Sequence, residues 1–283
     1  MKKKLSKIIL VTLCITFLFS GCSLEKLAEA KIKYDVDDTQ AIVKQVPNKS
    51  TITEINIPDE YEGLPVTIVK DFSSTNLENV EKITIGKNVK EIGTWAFENN
   101  QKLKEFDVDE ENEYFCDVDG VLFTKDMKTL LFYPANKDLQ KQTKTNDNGE
   151  SEEIEFSTYI IPEGVETICT KAFYKCQKLK SITLPSTVKT IEEKAFFRCS
   201  MAENIILPEG LTFIGKDAFS YCTTFNQITI PSTVTKIDTY AFYNCKSLLE
   251  IDILAKENEI ELADKWYPTD NGKKIVDLKI EYK

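Results

Sequence analysis

A repeat of constant length dominates the C-terminal half of the chain. Residues 161–252 divide without a gap into four blocks of 23 residues: IPEGVETICTKAFYKCQKLKSIT, LPSTVKTIEEKAFFRCSMAENII, LPEGLTFIGKDAFSYCTTFNQIT and IPSTVTKIDTYAFYNCKSLLEID. Every block carries a proline, an alanine-phenylalanine pair and a cysteine at the same places. The recurring phenylalanines and cysteines are Phe173, Phe196, Phe219, Phe242, Cys176, Cys199, Cys222 and Cys245. A unit this short cannot enclose its own apolar side, so the period predicts a solenoid of stacked coils.

Each block predicts one coil made of a short strand and a tight turn. The run Ile182, Thr183, Leu184 alternates, so its apolar side chains point to one face, and the proline that follows lacks an N–H and ends the ladder. The alanine-phenylalanine-cysteine segment is too short for a regular helix and predicts one helical or 3-10 turn. We therefore expect an α/β solenoid in which like residues of successive coils form phenylalanine, isoleucine and proline columns.

Weaker copies of the repeat precede the regular blocks. Residues 85–107 keep the length and the alanine-phenylalanine pair, with Asn100 in the place of the cysteine, and a looser copy lies before them. Residues 105–134 break the period but still predict two strand-like runs around a polar turn, an irregular hairpin-like region. Residues 135–157 are charged and poor in apolar residues, which predicts a mobile insertion loop. The domains are N-terminal repeats (51–134), insertion (135–157), regular repeats (158–253) and C-terminal cap (254–283).

The N-terminus has the pattern of a secretory signal peptide. Four lysines precede a largely apolar run, Ile8 to Phe19, which is too short to span a bilayer. The junction LFSGCS resembles the lipobox of bacterial lipoproteins, which implies removal of residues 1–21 and lipidation of Cys22. Plain secretory cleavage nearby is the alternative and would leave Cys22 a free thiol. Residues 22–50 are mostly polar apart from the run AIVKQV, and they predict a lipid-anchored tether with an entry segment that leads into the repeats.

Composition excludes several classes of chemistry. The 283 residues include no histidine, which removes the commonest general base, the commonest metal ligand and every histidine-activated nucleophile. The net charge of -10 opposes phosphate backbones, so no nucleic-acid partner is expected. Nothing marks a catalytic pair among the 46 acidic residues. We therefore expect that the protein is not an enzyme and binds no cofactor.

Two clusters of chemically active side chains have structural explanations. Asp107, Asp109, Asp117 and Asp119 could attract calcium, but their spacing fits no EF-hand, and a solvated acidic turn is the preferred interpretation. The repeating cysteines occupy a place that Asn100 also fills, as expected of a buried column. Parallel coils hold neighbouring Cβ atoms at about 5 Å, longer than a disulfide prefers, which favours free thiols over bridges between coils. Cys116 and Cys169 lie off the column and stay unassigned.

A family resemblance rests on three motifs. They are the pattern CxxLxxIxLPxxVxxIxxxAFxxC, the segment YEGLPVT near the start of the repeats, and the interruption VDGVLF...KTLLFYP. Together they resemble the BspA-like leucine-rich repeat family of bacterial surface proteins over about residues 51–253. The resemblance implies a curved leucine-rich repeat solenoid with a parallel sheet on the concave face, and adhesion to host matrix proteins or other cells. The insertion after Pro134 has no counterpart in the motif.

The strand residues that point away from the core form the predicted partner-binding surface, since they vary from coil to coil while the core columns are uniform. They are Lys82, Thr84, Glu105, Asp107, Ser181, Thr183, Asn204, Ile206, Gln227, Thr229, Glu250 and Asp252, and the same register adds Glu54, Asn56, Thr158 and Ile160. This strand-face stripe is acidic toward both ends and neutral in the middle, where two isoleucines are exposed. It predicts a platform for an extended protein partner; an unselected solvent face is the alternative. Aromatic residues on the turn side are a second set of anchors or a cover for the turn.

Two functions follow from these patterns. The first is a surface-exposed, extracytoplasmic lipoprotein that acts as a non-enzymatic binding module, an adhesin for an extracellular or host-matrix protein, and that meets the membrane only through its lipid anchor. The second is a structural or scaffolding envelope lipoprotein that binds wall polymer or another envelope component.

Overall fold

The structure, a computed structural model, describes residues 32–46, 51–71, 77–97, 100–145, 148, 151–270, 273–274 and 279–283. The predicted signal peptide and the lipidation site Cys22 lie outside the described residues. In this part of the chain, no helix is long and apolar enough to cross a membrane.

The described residues form 25 short strands. In chain order they are β1 (Lys33–Val36), β2 (Ala41–Gln45), β3 (Glu54–Ile57), β4 (Glu60–Tyr61), β5 (Leu64–Val69), β6 (Lys82–Ile85), β7 (Glu91–Ile92), β8 (Glu105–Val108), β9 (Phe115–Val118), β10 (Val121–Thr124), β11 (Thr129–Phe132), β12 (Gln140–Thr145), β13 (Ser151–Ile160), β14 (Thr167–Ile168), β15 (Leu179–Thr183), β16 (Thr190–Ile191), β17 (Asn204–Ile206), β18 (Phe213–Ile214), β19 (Gln227–Ile230), β20 (Lys236–Ile237), β21 (Glu250–Ile253), β22 (Glu261–Leu262), β23 (Thr269–Asp270), β24 (Lys273–Lys274) and β25 (Lys279–Tyr282).

Two walls of the solenoid are built from parallel strands. The strand wall consists of three groups, β3-β6-β8, β13-β15-β17 and β19-β21-β25, in which like positions of successive coils pair. The narrow wall is one sheet in which the two-residue strands β14, β16, β18, β20 and β22 pair in parallel. The repeat therefore folds as a parallel-strand solenoid, as the period predicts.

The third wall of the solenoid differs from the expected helical turns. The turn wall consists of residues 169–178, 192–201, 215–224 and 238–247, and no part of the described chain is helical. Alternate N–H groups of each turn donate to carbonyls of the next coil. In the first turn these bonds join Lys171 to Glu193 (3.0 Å), Phe173 to Ala195 (2.7 Å) and Lys175 to Phe197 (2.7 Å). A helix directs its N–H groups back along its own chain. Here the backbone instead enters the left-handed region at Lys171 (φ 62°) and Lys175 (φ 58°), so the solenoid is a β fold and not an α/β fold.

A column of aromatic rings runs through the core. Its four repeat members, Phe173, Phe196, Phe219 and Phe242, are each 0% exposed, and neighbouring rings stack at 4.9 to 5.4 Å. The column extends beyond the regular blocks at both ends. Tyr133 stacks on Phe173 at 5.0 Å, and Trp266 meets Phe242 edge-on at 6.3 Å. The irregular region and the predicted cap therefore each contribute a member of the column.

The irregular region joins the two halves of the solenoid. Strands β9, β10 and β11 form an antiparallel meander, and β11 then pairs in parallel with β14 of the narrow wall. Alternation along β10 sends Leu122 into the N-terminal core, while Val121 and Phe123 enter the larger C-terminal core. The hairpin-like segment thus belongs to both cores.

The structure contains paired strands in two segments that lie outside the regular repeats. The insertion 135–157 is not an unpaired loop, because β12 and β13 form an antiparallel hairpin whose second strand continues into the strand wall. The predicted tether and entry segment, residues 22–50, include strands β1 and β2. Strand β2 pairs in parallel with β5, and Ala41 and Val43 are 0% exposed in the N-terminal core. Periodicity missed the hairpin because its two strands pair outside the 23-residue register.

Candidate binding surface

The strand wall places the predicted stripe residues side by side. Pairing in register sets Lys82 beside Glu105, Thr84 beside Asp107, Ser181 beside Asn204, Thr183 beside Ile206, Gln227 beside Glu250, and Thr229 beside Asp252. Each of the three groups of strands therefore presents two rows of outward residues, spaced by the roughly 4.8 Å between paired strands.

The middle of the stripe is neutral and strongly exposed. Ile160, Thr183 and Ile206 form one row across β13, β15 and β17. Ile160 is 74% exposed and Ile206 is 79% exposed, whereas the inward neighbour Ile205 is only 7% exposed. Two large apolar side chains in one row, on strands whose inward face is fully used by the core, form an apolar patch open to a partner.

Ion pairs reduce the negative charge at both ends of the strand-face stripe. The Lys82 ammonium lies 3.2 Å from a Glu105 oxygen and 2.8 Å from an Asp107 oxygen. A hydrogen bond to Asp107, and to a smaller extent one to Glu105, raises the pKa of Lys82 above its usual range. At the other end Lys283 pairs with Asp252 at 2.6 Å. These ion pairs partly neutralise both ends, and the second was not foreseen because Lys283 lies in the predicted cap.

A cleft interrupts the stripe between β17 and β19. These two strands belong to separate sheets, and between them lies a cavity of about 290 Å³ lined by Ile205, Ile206, Leu207 and residues 226–229. The uniform repeat contains no signal for this break. It brings the exposed Ile206 to the edge of a recess that also holds Gln227 and Thr229, so three predicted stripe residues share one concave feature.

The repeating cysteines are free and buried. Each of the last three donates its thiol to the carbonyl of the phenylalanine in the preceding coil: Cys199 to Phe173 (3.2 Å), Cys222 to Phe196 (3.1 Å) and Cys245 to Phe219 (3.0 Å). Asn100 has the same role, because its amide nitrogen can donate to the carbonyls of Leu77 (2.9 Å) and Val80 (3.0 Å). The expectation of free, buried thiols is confirmed.

Burial makes these thiols poor nucleophiles. It raises the pKa of Cys176, Cys199 and Cys245 well above the ordinary range, and burial together with the Glu192 carboxylate raises the pKa of Cys169 to about 12. Burial also raises the pKa of Cys116, whose sulfur contacts the Thr124 carbonyl at 3.5 Å. Because the thiolate is the reactive form, this environment opposes covalent catalysis.

The acidic cluster is part of the turns around it. Asp117 accepts hydrogen bonds from the Val108 N–H (2.9 Å) and the Gly120 N–H (3.3 Å), and Asp109 accepts one from the Glu111 N–H (2.8 Å). In the described part of the chain, no group of three cysteine, aspartate or glutamate side chains is arranged to hold a metal. The carboxylates thus have a structural use as turn acceptors.

The stacked coils and the outward-facing strand surface define the class of protein as a leucine-rich repeat solenoid. The sequence matches the family model of the BspA type Leucine rich repeat region in six copies, over residues 40–118 and 150–263. The chain therefore belongs to the BspA-type leucine-rich repeat family. It has no match among curated proteins.

Two solved structures are similar to this chain. The crystal structure of the pneumococcal vaccine antigen PcpA shares 23% identity at a TM-score of 0.53, covering 81% of this chain and 62% of that chain. A leucine rich cell surface protein from Faecalibacterium prausnitzii A2-165 shares 26% identity at a TM-score of 0.45, covering 74% of this chain and 61% of that chain. The chain thus spans less than two thirds of each of these structures. At 23% identity the pneumococcal structure supports the solenoid fold.

Proposed function

We propose that the protein is a non-enzymatic surface module that binds a protein partner through the strand-face stripe. The observation that carries the proposal is the row of Ile160, Thr183 and Ile206 on paired strands, with the two isoleucines 74% and 79% exposed. Burying two such side chains against a partner contributes about 1.5 to 3 kcal/mol each. The paired strands hold the row rigid, so little conformational entropy is lost on binding.

The proposed location is extracytoplasmic, at the membrane surface, with a lipid on Cys22. The support is the lipobox-like junction and the chain between it and β1, which begins at Lys33. Replacing Cys22 by alanine is expected to release the protein into the medium and to abolish the mass of the attached acyl chains. Retention of Cys22→Ala at the membrane would contradict the anchor.

The binding proposal is tested with a double variant and a matched control. Ile160→Thr with Ile206→Thr removes the apolar row, while Val36→Thr with Val118→Thr removes exposed apolar groups elsewhere (49% and 37% exposed). The full-length proteins are titrated against immobilised matrix proteins, wall polymer and glycans at fixed salt. We expect saturable binding to a protein, weakened about tenfold or more by the first pair only.

Other outcomes separate the alternatives. Equal weakening by both pairs, or no effect of the isoleucine pair on a protein that binds, would overturn the role of the row. Binding confined to wall polymer would assign the protein to envelope scaffolding instead of adhesion.

A further inference from the structure

A row of aromatic side chains lies on the outside of the turn wall. Tyr174 and Phe197 stack at 5.2 Å, Phe197 meets Tyr221 at 5.3 Å, and Tyr221 meets Tyr243 at 5.7 Å. All four are only partly buried. In the third coil the ring comes one residue later, because Ser220 turns inward and donates to Asp217 and to the Tyr240 carbonyl at 2.8 Å. Each coil therefore contributes one ring to the row, and in the fourth coil Tyr240 lies beside Tyr243 at 5.3 Å.

Three cations lie against this row, and the ammonium of the buried Lys171 is 4.9 Å from the Tyr174 ring centre. The Lys175 ammonium is 5.0 Å from the Tyr174 ring centre. The Arg198 guanidinium is 5.5 Å from the Phe197 ring and 5.1 Å from the Tyr221 ring. Arg198 is exposed and is the single arginine of the sequence. A guanidinium held between two rings is a preorganised fork for carboxylate, sulfate or phosphate groups.

The turn wall is positive on a protein that is negative as a whole. Its four segments contain seven lysine and arginine residues against four acidic residues, whereas the whole chain has 36 against 46. The acids also have partners within the wall. Glu192 accepts two hydrogen bonds of 2.9 Å from Thr170, and Glu193 pairs with Lys194 at 2.6 Å. Lys178 pairs with Glu155 outside these segments, which leaves the turn wall an excess of two positive charges that favours an anionic ligand.

A polar cleft lies near the first ring of the aromatic row, between the two halves of the solenoid. This cleft has a volume of about 570 Å³, and its polar lining comprises Glu81, Gln101, Lys102, Lys104, Asn136, Glu155, Gln177 and Lys178. Both acids are paired, Glu81 with Lys104 at 2.8 Å and Glu155 with Lys178 at 2.6 Å. A smaller cavity lined by Tyr174 shares Gln101 with the cleft and so connects it to the row. Three amide side chains in the cleft supply donors and acceptors suited to sugar hydroxyl groups.

We propose that the turn wall and the adjoining cleft bind an acidic polysaccharide. Ring faces pack on the C–H groups of sugars, amides bind hydroxyl groups, and Lys175 and Arg198 bind the acid groups. The aromatic row lies on a different wall from the strand-face stripe, whereas the cleft includes Glu155 of β13, the strand that carries Ile160. The acid could be the sulfate of a host glycan or the phosphate of a bacterial polysaccharide, since the recognition chemistry is the same.

Binding of the full-length protein to defined polymers tests this proposal. The probes are a heparan sulfate oligosaccharide, a phosphodiester-linked bacterial polysaccharide, neutral dextran and single-stranded DNA. Lys175→Gln with Arg198→Gln removes two charges from the row. Lys236→Gln with Lys256→Gln removes the same charge elsewhere, from lysines whose side chains are 42% and 77% exposed. We expect binding to at least one acidic glycan, weakened about fivefold or more by the first pair and less by the control.

The results of this binding experiment support or reject the proposed glycan site. Selective binding of the sulfated or of the phosphodiester polymer identifies the source of the ligand. No binding to either polymer, equal weakening by both variant pairs, or equal affinity for DNA would overturn the proposal. The isoleucine variants of the strand-face stripe should bind the glycan normally. Failure of the protein-binding proposal can therefore be told apart from failure of the glycan proposal.

Discussion

Replacing Phe219 by alanine should be among the most destabilising single changes in the repeats. The ring is 0% exposed and lies between Phe196 at 5.2 Å and Phe242 at 5.4 Å, nearly parallel to both. Truncating a buried phenylalanine to alanine lowers the free energy of unfolding by about 3–5 kcal/mol. We expect the upper end of that range, because two aromatic contacts of about 0.5–1.5 kcal/mol each are lost together.

The effect should also be cooperative. Each coil contacts only its neighbours, so a defect in a central coil weakens two interfaces at once. Urea unfolding followed by far-UV circular dichroism should show a lower midpoint, and a lower slope if the C-terminal coils unfold separately. A loss of about 4–5 kcal/mol is a large fraction of the 5–15 kcal/mol typical of a folded domain.

Two further variants test this reasoning. Phe219→Leu keeps most of the apolar volume and should cost less than about 1.5 kcal/mol. Trp266→Ala removes the last ring of the column, which has one column neighbour at 6.3 Å and can relax more freely; we expect about 3 kcal/mol. If Phe219→Ala cost less than Trp266→Ala, the column would not be the continuous core that its geometry indicates.

Three more predictions follow from the structure. The four column cysteines should resist alkylation at pH 8 until denaturant is added, as mass spectrometry would show; rapid labelling of the native protein would contradict their burial. Unfolded thiols ionise near pH 8.5, while burial holds the pKa of Cys176 and Cys199 above that value, so the stability they contribute is complete below about pH 8.5 and falls as the pH rises further. Each such thiol contributes about 1.4 kcal/mol per pH unit, and Cys199→Ala should give a shallower decline; an unchanged slope would exclude this origin. Deleting 275–283 removes β25 and exposes the edge of β21, so it should cause aggregation; an unchanged monomeric elution profile would refute the capping role.

The sequence predicts the repeated part of the fold well. Columns such as Phe173 to Phe242 follow from register alone, because residues 23 apart have the same place in successive coils. The alternation of Ile205 and Ile206 likewise follows from the period of two in a strand, and the structure confirms it with exposures of 7% and 79%. These features depend on local pattern, which repetition makes visible.

The candidate surfaces were predicted less completely. Register identified the rows of the strand-face stripe, including the positions of Ser181 and Gln227. It did not reveal the cleft between β17 and β19, or the pairing of Lys283 with Asp252. On the turn wall it missed Tyr221, because that ring enters the aromatic row from a neighbouring position in the repeat.

The local pattern of the sequence is enough to predict the stacked coils of 23 residues, the side chains that enter the core and the strand residues that face outward. The conformation of the turns depends on tertiary contacts, because alternate N–H groups of each turn find their acceptors in the next coil. Only the tertiary structure decided how Tyr133 and Trp266 complete the aromatic column, since both come from segments outside the repeat. Such contacts depend on chain paths that no periodic pattern records.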